Sequence, residues 1–107
     1  MNERAFQSAT ELAAAVRGKE ISATELADLY LQRADADADL GAYLRLDPDG
    51  ARQQARAVDD AIASGTEVGP LAGVPFALKD ALVTKGLETT SASKILEGWV
   101  PPYDGTA

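Results

Sequence analysis

The spacing of apolar residues along this chain changes from a helical rhythm to an extended one, and the switch points mark its elements. Ser8-Ala-Thr-Glu11 is a capping box, in which the Ser8 hydroxyl accepts from a first-turn amide while Glu11 reaches back. It opens a short helix to about Arg17, closed by Gly18 at the C′ position. The device repeats at Ser22-Ala-Thr-Glu25. Leu26, Leu29, Tyr30 and Arg33 fall on one face of the helix that follows, the apolar part of which is directed to a core. Joined by Gly18 to Ile21, the two helices form a hairpin. The alternative is an arm that docks on a partner, and the pattern alone leaves both open. Asp47-Pro48 supplies an N-cap and a first-turn proline for a third helix to about Ser64, ended by Gly65. Ala51, Ala55, Val58 and Ile62 give it a small-residue packing face.

Two runs have the extended rhythm. Ala42 to Leu46 (AYLRL) is short, alternating and aromatic, as strands are. In Leu71 to Asp80 (LAGVPFALKD), Val74, Phe76 and Leu78 alternate with Pro75, Ala77 and Lys79, which predicts a strand buried on both faces. Pro75 lacks a ladder donor and fits only the start of such a strand. The order helix, helix, strand, helix, strand is that of an α/β layered domain whose sheet has barely begun. Past Asp80 come a turn at Lys85-Gly86, a hydroxyl patch at Thr89-Thr-Ser-Ala-Ser93, and a Trp99/Tyr103 segment with Pro101-Pro102 between them. Asp104-Gly105 is a second turn.

Composition narrows the chemistry. The 107 residues are 46% hydrophobic and 25% charged, a globular profile, and no apolar run approaches the roughly 18 residues of a bilayer span. The first residues, MNERAFQS, lack a hydrophobic signal core, so a cytoplasmic protein is expected. A net charge of −7 argues against direct grip on a phosphate backbone. With neither cysteine nor histidine, thiolate nucleophiles, Cys-ligated zinc and a Ser-His-Asp triad are all excluded within these residues. Any hydrolysis must use lysine, hydroxyls and carboxylates.

Lys79 is the candidate. Set at the end of an apolar strand, a primary amine loses hydration that only its charged form values, which favours a neutral base. The bland alternative is that its stem lies on the core while the ammonium stays in water beside Asp80. Two other motifs lead nowhere. Asp35-Ala-Asp37-Ala-Asp39 imitates the opening of a calcium loop, but Leu40 stands where glycine is needed and Leu46 where glutamate is needed, leaving a solvated helix exit. Ser91-Ala-Ser-Lys94 is a literal S-x-x-K without the companion motifs of penicillin-binding proteins and β-lactamases, and its hydroxyls serve turn and strand-end backbone.

The segments LAGVPFALKD, Val83-Thr-Lys-Gly-Leu87 and TTSASKILEGWVPPYD together resemble the amidase signature family. Within it they are similar to the glutaminase subunits of the bacterial-type aspartyl/glutamyl-tRNA amidotransferases. The likeness extends through the paired S-A-T-E helices, the AYLRLD run and the third helix. It implies an incomplete α/β/α layered fold, a mixed sheet flanked by helices, with three helices and two or three strands here. Residues 1–107 would be the N-terminal part of one such domain, with 1–40 a helical hairpin and 41–107 the start of the sheet, including the catalytic-lysine strand.

The resemblance further implies a Ser-cisSer-Lys mechanism in which Lys79 takes the place of the catalytic lysine. Thr90, Ser91 and Ser93 would lie near the active-site floor without catalytic roles. The family's Gly/Ser-rich loop, which carries both serines and the oxyanion-hole donors, does not occur in these residues, so this piece alone should be inactive. Glutamine would be the substrate, and the partners would be the amidotransferase B and C subunits. ATP and Mg2+ would act on the B component, no cofactor would sit in this chain, and tRNA would be met through the complex. A free-standing amidase of another carboxamide and a non-catalytic assembly partner remain alternatives.

Overall fold

Each helix begins where a side chain replaces a missing backbone acceptor. In the computed structural model, which describes residues 5–106, α1 spans Ala9–Arg17, α2 spans Ala23–Ala36 and α3 spans Pro48–Ala63. The Ser8 hydroxyl accepts from the Glu11 amide at 3.1 Å and the Ser22 hydroxyl from the Glu25 amide at 3.0 Å. Asp47 accepts from the Gly50 amide at 3.2 Å, and Pro48 sits in the first turn, where its missing N–H costs nothing. All three starts agree with the sequence pattern.

The stops agree less evenly. At the end of α3, Gly65 takes the left-handed conformation (φ 77°), with the Thr66 amide reaching the Ala61 carbonyl and the Gly65 amide the Ile62 carbonyl, a Schellman closure. At the end of α1 the same two bonds form one residue later than the sequence suggests. The Glu20 amide donates to Ala15 and the Lys19 amide to Val16, so Lys19 (φ 62°), not Gly18, is the left-handed residue. Gly18 is still helical enough to bond back to Ala14 at 2.9 Å. The acidic segment after α2 forms a 3-10 turn, Ala38–Leu40, as a helix exit.

The chain divides into two compact units, Met1–Pro75 and Phe76–Ala107. In the first, Leu12, Ala15 and Val16 of α1, Ile21 of the connection, and Ala23, Leu26, Ala27 and Leu29 of α2 bury together with Ala55 of α3. Val58, Ile62, Tyr30 and Val74 pack against them. The predicted faces of α2 and α3 are therefore the observed ones. Leu26 has no exposed surface, and burying a leucine is worth about 2 kcal/mol.

Polar contacts fix how these helices meet. The Tyr30 hydroxyl donates to the Ala5 carbonyl at 3.0 Å, and the Arg52 guanidinium on α3 meets Asp28 on α2 at 2.8 Å. Arg33 lies 4.9 Å from the Phe6 ring centre, so the polar end of the predicted α2 stripe is a cation–π contact.

Neither predicted strand forms among the described residues. Residues 42–46 are irregular and exposed, and 71–80 pass from a turn at 71–73 into a segment without regular structure. Phe76 is 81% exposed and Leu78 40%, so this run is not buried on both faces. A strand has no hydrogen bonds of its own and exists only where a neighbour supplies them. The two runs do not pair with each other, and Pro75 has no N–H to offer.

Candidate active site

The second unit is irregular, and carboxylates satisfy many of its backbone amides. After residues 74–79, which have no regular structure, the chain turns, with the Leu82 amide donating to the Lys79 carbonyl at 3.0 Å. A tight turn at Lys85-Gly86 follows, as predicted, with Gly86 at φ 79° and Thr84 bridging to Leu87. Asp104 accepts from the Lys85 amide at 2.8 Å and Glu88 from the Gly98 amide at 3.0 Å. The Thr89 amide donates to the Trp99 carbonyl at 3.1 Å, and the Thr89 side chain is buried with its hydroxyl on the Leu87 carbonyl. Trp99 meets Tyr103 edge to face at 6.3 Å.

The densest of these attachments is at Asp80, next to Lys79. Its carboxylate accepts from the Thr90 hydroxyl, from the Thr90 amide at 2.9 Å and from the Ala92 amide at 3.3 Å. Its main-chain carbonyl accepts from the Ser91 amide at 2.9 Å. Two amides and one hydroxyl of the loop thus make a cradle for one anion. The loop that makes it is strained, since Ser91 (φ 50°) and Ala92 (φ 58°) are consecutive non-glycine residues in the left-handed region. The Thr90 hydroxyl, then the Thr90 amide, hold the Asp80 carboxyl below its ordinary value. Partial desolvation opposes them and the Ala92 amide adds to them.

Lys79 itself is exposed. The apolar wall that would dry its amine is not assembled by these residues, since Phe76 and Leu78 are themselves in solvent. No ion pair joins Lys79 to Asp80 among the described residues, so the acid serves the loop and not the ammonium. Ser93 caps the 3-10 turn Lys94–Leu96 by accepting from the Ile95 amide at 3.3 Å. Ser91 lies in the left-handed loop. The S-x-x-K is thus not on an α-helix, and the Ser93 hydroxyl does turn work as the pattern suggests. Sequence inspection passed over Asp80 and Thr90 as a pair. The signal was there, an acid followed ten residues later by a Thr-Thr-Ser run able to bond it locally.

The sequence is similar to those of known proteins. The family model described as Amidase matches residues 25–107. The chain belongs to that family, and with it to the α/β class. Among its relatives is the A subunit of the glutamyl-tRNA(Gln) amidotransferase from Acidothermus cellulolyticus, 50% identical over 107 residues, covering 99% of this chain and 21% of that protein. Proteins of the same description from Streptomyces avermitilis (51% over 100 residues, 92% and 20%) and Thermobifida fusca (51% over 107 residues, 99% and 22%) are similar to it as well. The chain thus spans about a fifth of the length of the curated relatives it matches.

Proposed function

We propose that the chain belongs to a glutaminase subunit that releases ammonia for converting misacylated Glu-tRNA(Gln) or Asp-tRNA(Asn) into the amidated product. The observation that carries this reading is identity of about one half over 99% of the chain, the Lys79 segment included, to proteins named as the A subunit of such an amidotransferase. Lys79 is the base. Its amine takes a proton from a bridging serine, which takes one from the nucleophilic serine, whose oxygen attacks the side-chain amide carbon of glutamine. The C–N bond breaks, the proton is returned to the leaving nitrogen, and ammonia departs; water then releases glutamate from the acyl-enzyme. A lysine can serve a serine in this way without histidine.

Neither serine lies in the resembling motifs here, so these 107 residues hold the base and not the nucleophile. In this reading the runs 42–46 and 71–80 join a mixed sheet flanked by helices, within one amidase-signature domain that includes residues 1–107. Sheet neighbours would cover Phe76 and Leu78 and complete the apolar wall beside Lys79. The B and C subunits of the amidotransferase are the partners, and ATP and Mg2+ act on the B component. The acidic charge of −7 agrees with leaving the tRNA grip to a partner. Among the described residues no helix is long and apolar enough to cross a membrane, and the complex would work in the cytoplasm.

The test is Lys79→Ala in a protein of full family length, assembled with its partners. Glutamine hydrolysis should fall by about 10³-fold or more, as for loss of a base from a covalent mechanism, while circular dichroism and assembly stay parental. Ammonia release at the parental rate would overturn the assignment.

A further inference from the structure

We infer that Asp80 and Thr90 form a positioning pair that fixes the direction in which Lys79 leaves the backbone. This rests on Lys79 being the base. Asp80 is held by three consecutive residues, through its carboxylate by Thr90 and Ala92 and through its carbonyl by Ser91. On the other side of the same residue, the Leu82 amide holds the Lys79 carbonyl. The peptide plane between Lys79 and Asp80 is therefore fixed by one bond and the plane after Asp80 by another. A plane that cannot rotate sets the bearing of the Cα–Cβ bond beside it, because the backbone has only two soft torsions per residue.

The strained loop around the carboxylate explains why such an anchor would be kept. Two adjacent non-glycine residues in the left-handed region cost energy that a solvent-facing turn could avoid with glycine. The strain persists because the loop closes on the acid next to the lysine. A lone ammonium on a four-carbon stem has many rotamers, so its productive position depends on a rigid root. Thr90 contributes twice, by hydroxyl and by amide, and only the hydroxyl can be removed without touching the main chain.

The experiment uses full-length protein assembled with its partners, measuring ammonia from glutamine, with kcat referred to the amount of folded, assembled complex. Thr90→Val keeps the shape and removes the hydroxyl, and should lower kcat by about 10-fold with KM nearly unchanged. Asp80→Asn should lower it by about 10²-fold, the usual scale for misplacing a catalytic group by an ångström. Thr90→Ser restores the hydroxyl and should recover most of the rate. A purely structural pair would lower only the yield or melting temperature of folded protein, leaving kcat per folded complex unchanged, and that result would overturn the inference. Lys79→Ala is run alongside. If it too keeps the parental rate, the underlying function fails and the inference with it; if it is dead while Thr90→Val is fully active, only the positioning role fails.

Discussion

The Asp59 carboxylate on α3 accepts three bonds from the first turn of α2, and two of them come from Thr24. The Thr24 amide donates at 3.0 Å and its hydroxyl at 2.8 Å, while the Ala23 amide donates to the other carboxylate oxygen at 2.7 Å. Ser22 already caps its own helix through the Glu25 amide, so Asp59 satisfies donors that Ser22 does not reach. It also brings a negative charge to the positive end of the helix dipole.

Asp59→Ala should therefore cost more than loss of an ordinary cap. Removing one local cap typically costs about 1 kcal/mol, and bonds to a charged acceptor are stronger, so a loss of about 2–3 kcal/mol is expected. Asp59→Asn keeps an acceptor and should lose about half as much. Urea unfolding followed by helical circular dichroism measures both. Equal losses for the two variants would show that the charge contributes nothing.

Gly73 supplies a second test, because it is constrained in two ways. Its φ of 86° is in the left-handed region, and a Cβ there would lie 2.9 Å from a Val16 methyl and 3.2 Å from the Ala23 methyl. Gly65 has a similar φ of 77° with nothing within 4 Å. Gly65→Ala should cost only the backbone penalty, about 1 kcal/mol. Gly73→Ala adds overpacking of the core and should reach about 2–4 kcal/mol. Denaturation midpoints of the two variants compare them directly, and indistinguishable midpoints would mean that the turn at Gly73 does not close on α1 and α2.

The contrast between what the sequence revealed and what it hid follows the range of the interactions. Ser8, Ser22 and Asp47 each reach an amide three residues on, so their caps were legible. Leu26, Leu29, Val58 and Ile62 were legible as faces because helical periodicity is local. The stop of α1 was misplaced by one residue, since glycine preference pointed to Gly18 and the closing bonds chose Lys19. Residues 42–46 and 71–80 carry strand periodicity, but a strand also needs a partner that periodicity cannot name. Lys79 was singled out by its apolar approach and then by family resemblance, and the first of these is not assembled among the described residues. Asp80 entered only as a companion for the ammonium in one of two readings of Lys79, because its partners in the structure, Thr90 and Ala92, lie across a turn.

The unpaired apolar residues make the 107-residue chain prone to association. Phe76 is 81% exposed and Ile95 92%, both in the second unit. Apolar surface of this kind promotes self-association, opposed here by a net charge of −7. Sedimentation velocity should show concentration-dependent oligomers that grow as salt screens the repulsion. Phe76→Ser with Ile95→Ser should shift the distribution toward monomer. A chain that stays monomeric at high salt and high concentration would refute this.

Acid should release the Asp80 latch. The folded-state value of this carboxyl lies below its ordinary 3.8, because the Thr90 hydroxyl and amide favour the ionised form. A lowered value means that the fold binds the carboxylate better than the acid, so the latch's contribution is complete above the unfolded value and is lost as pH falls through the lower folded one. Glu88 and Asp104 also hold loop amides in this unit, so the readout must be local. The Thr90 and Ala92 amide resonances should hold at neutral pH and shift together as pH falls through the lowered folded-state value of Asp80. Asp80→Asn removes the titrating group and should flatten that step while leaving any changes at Gly98 and Lys85 in place. Amides of Thr90 and Ala92 that move at different pH values, or that still move in Asp80→Asn, would show that a different acid controls the loop.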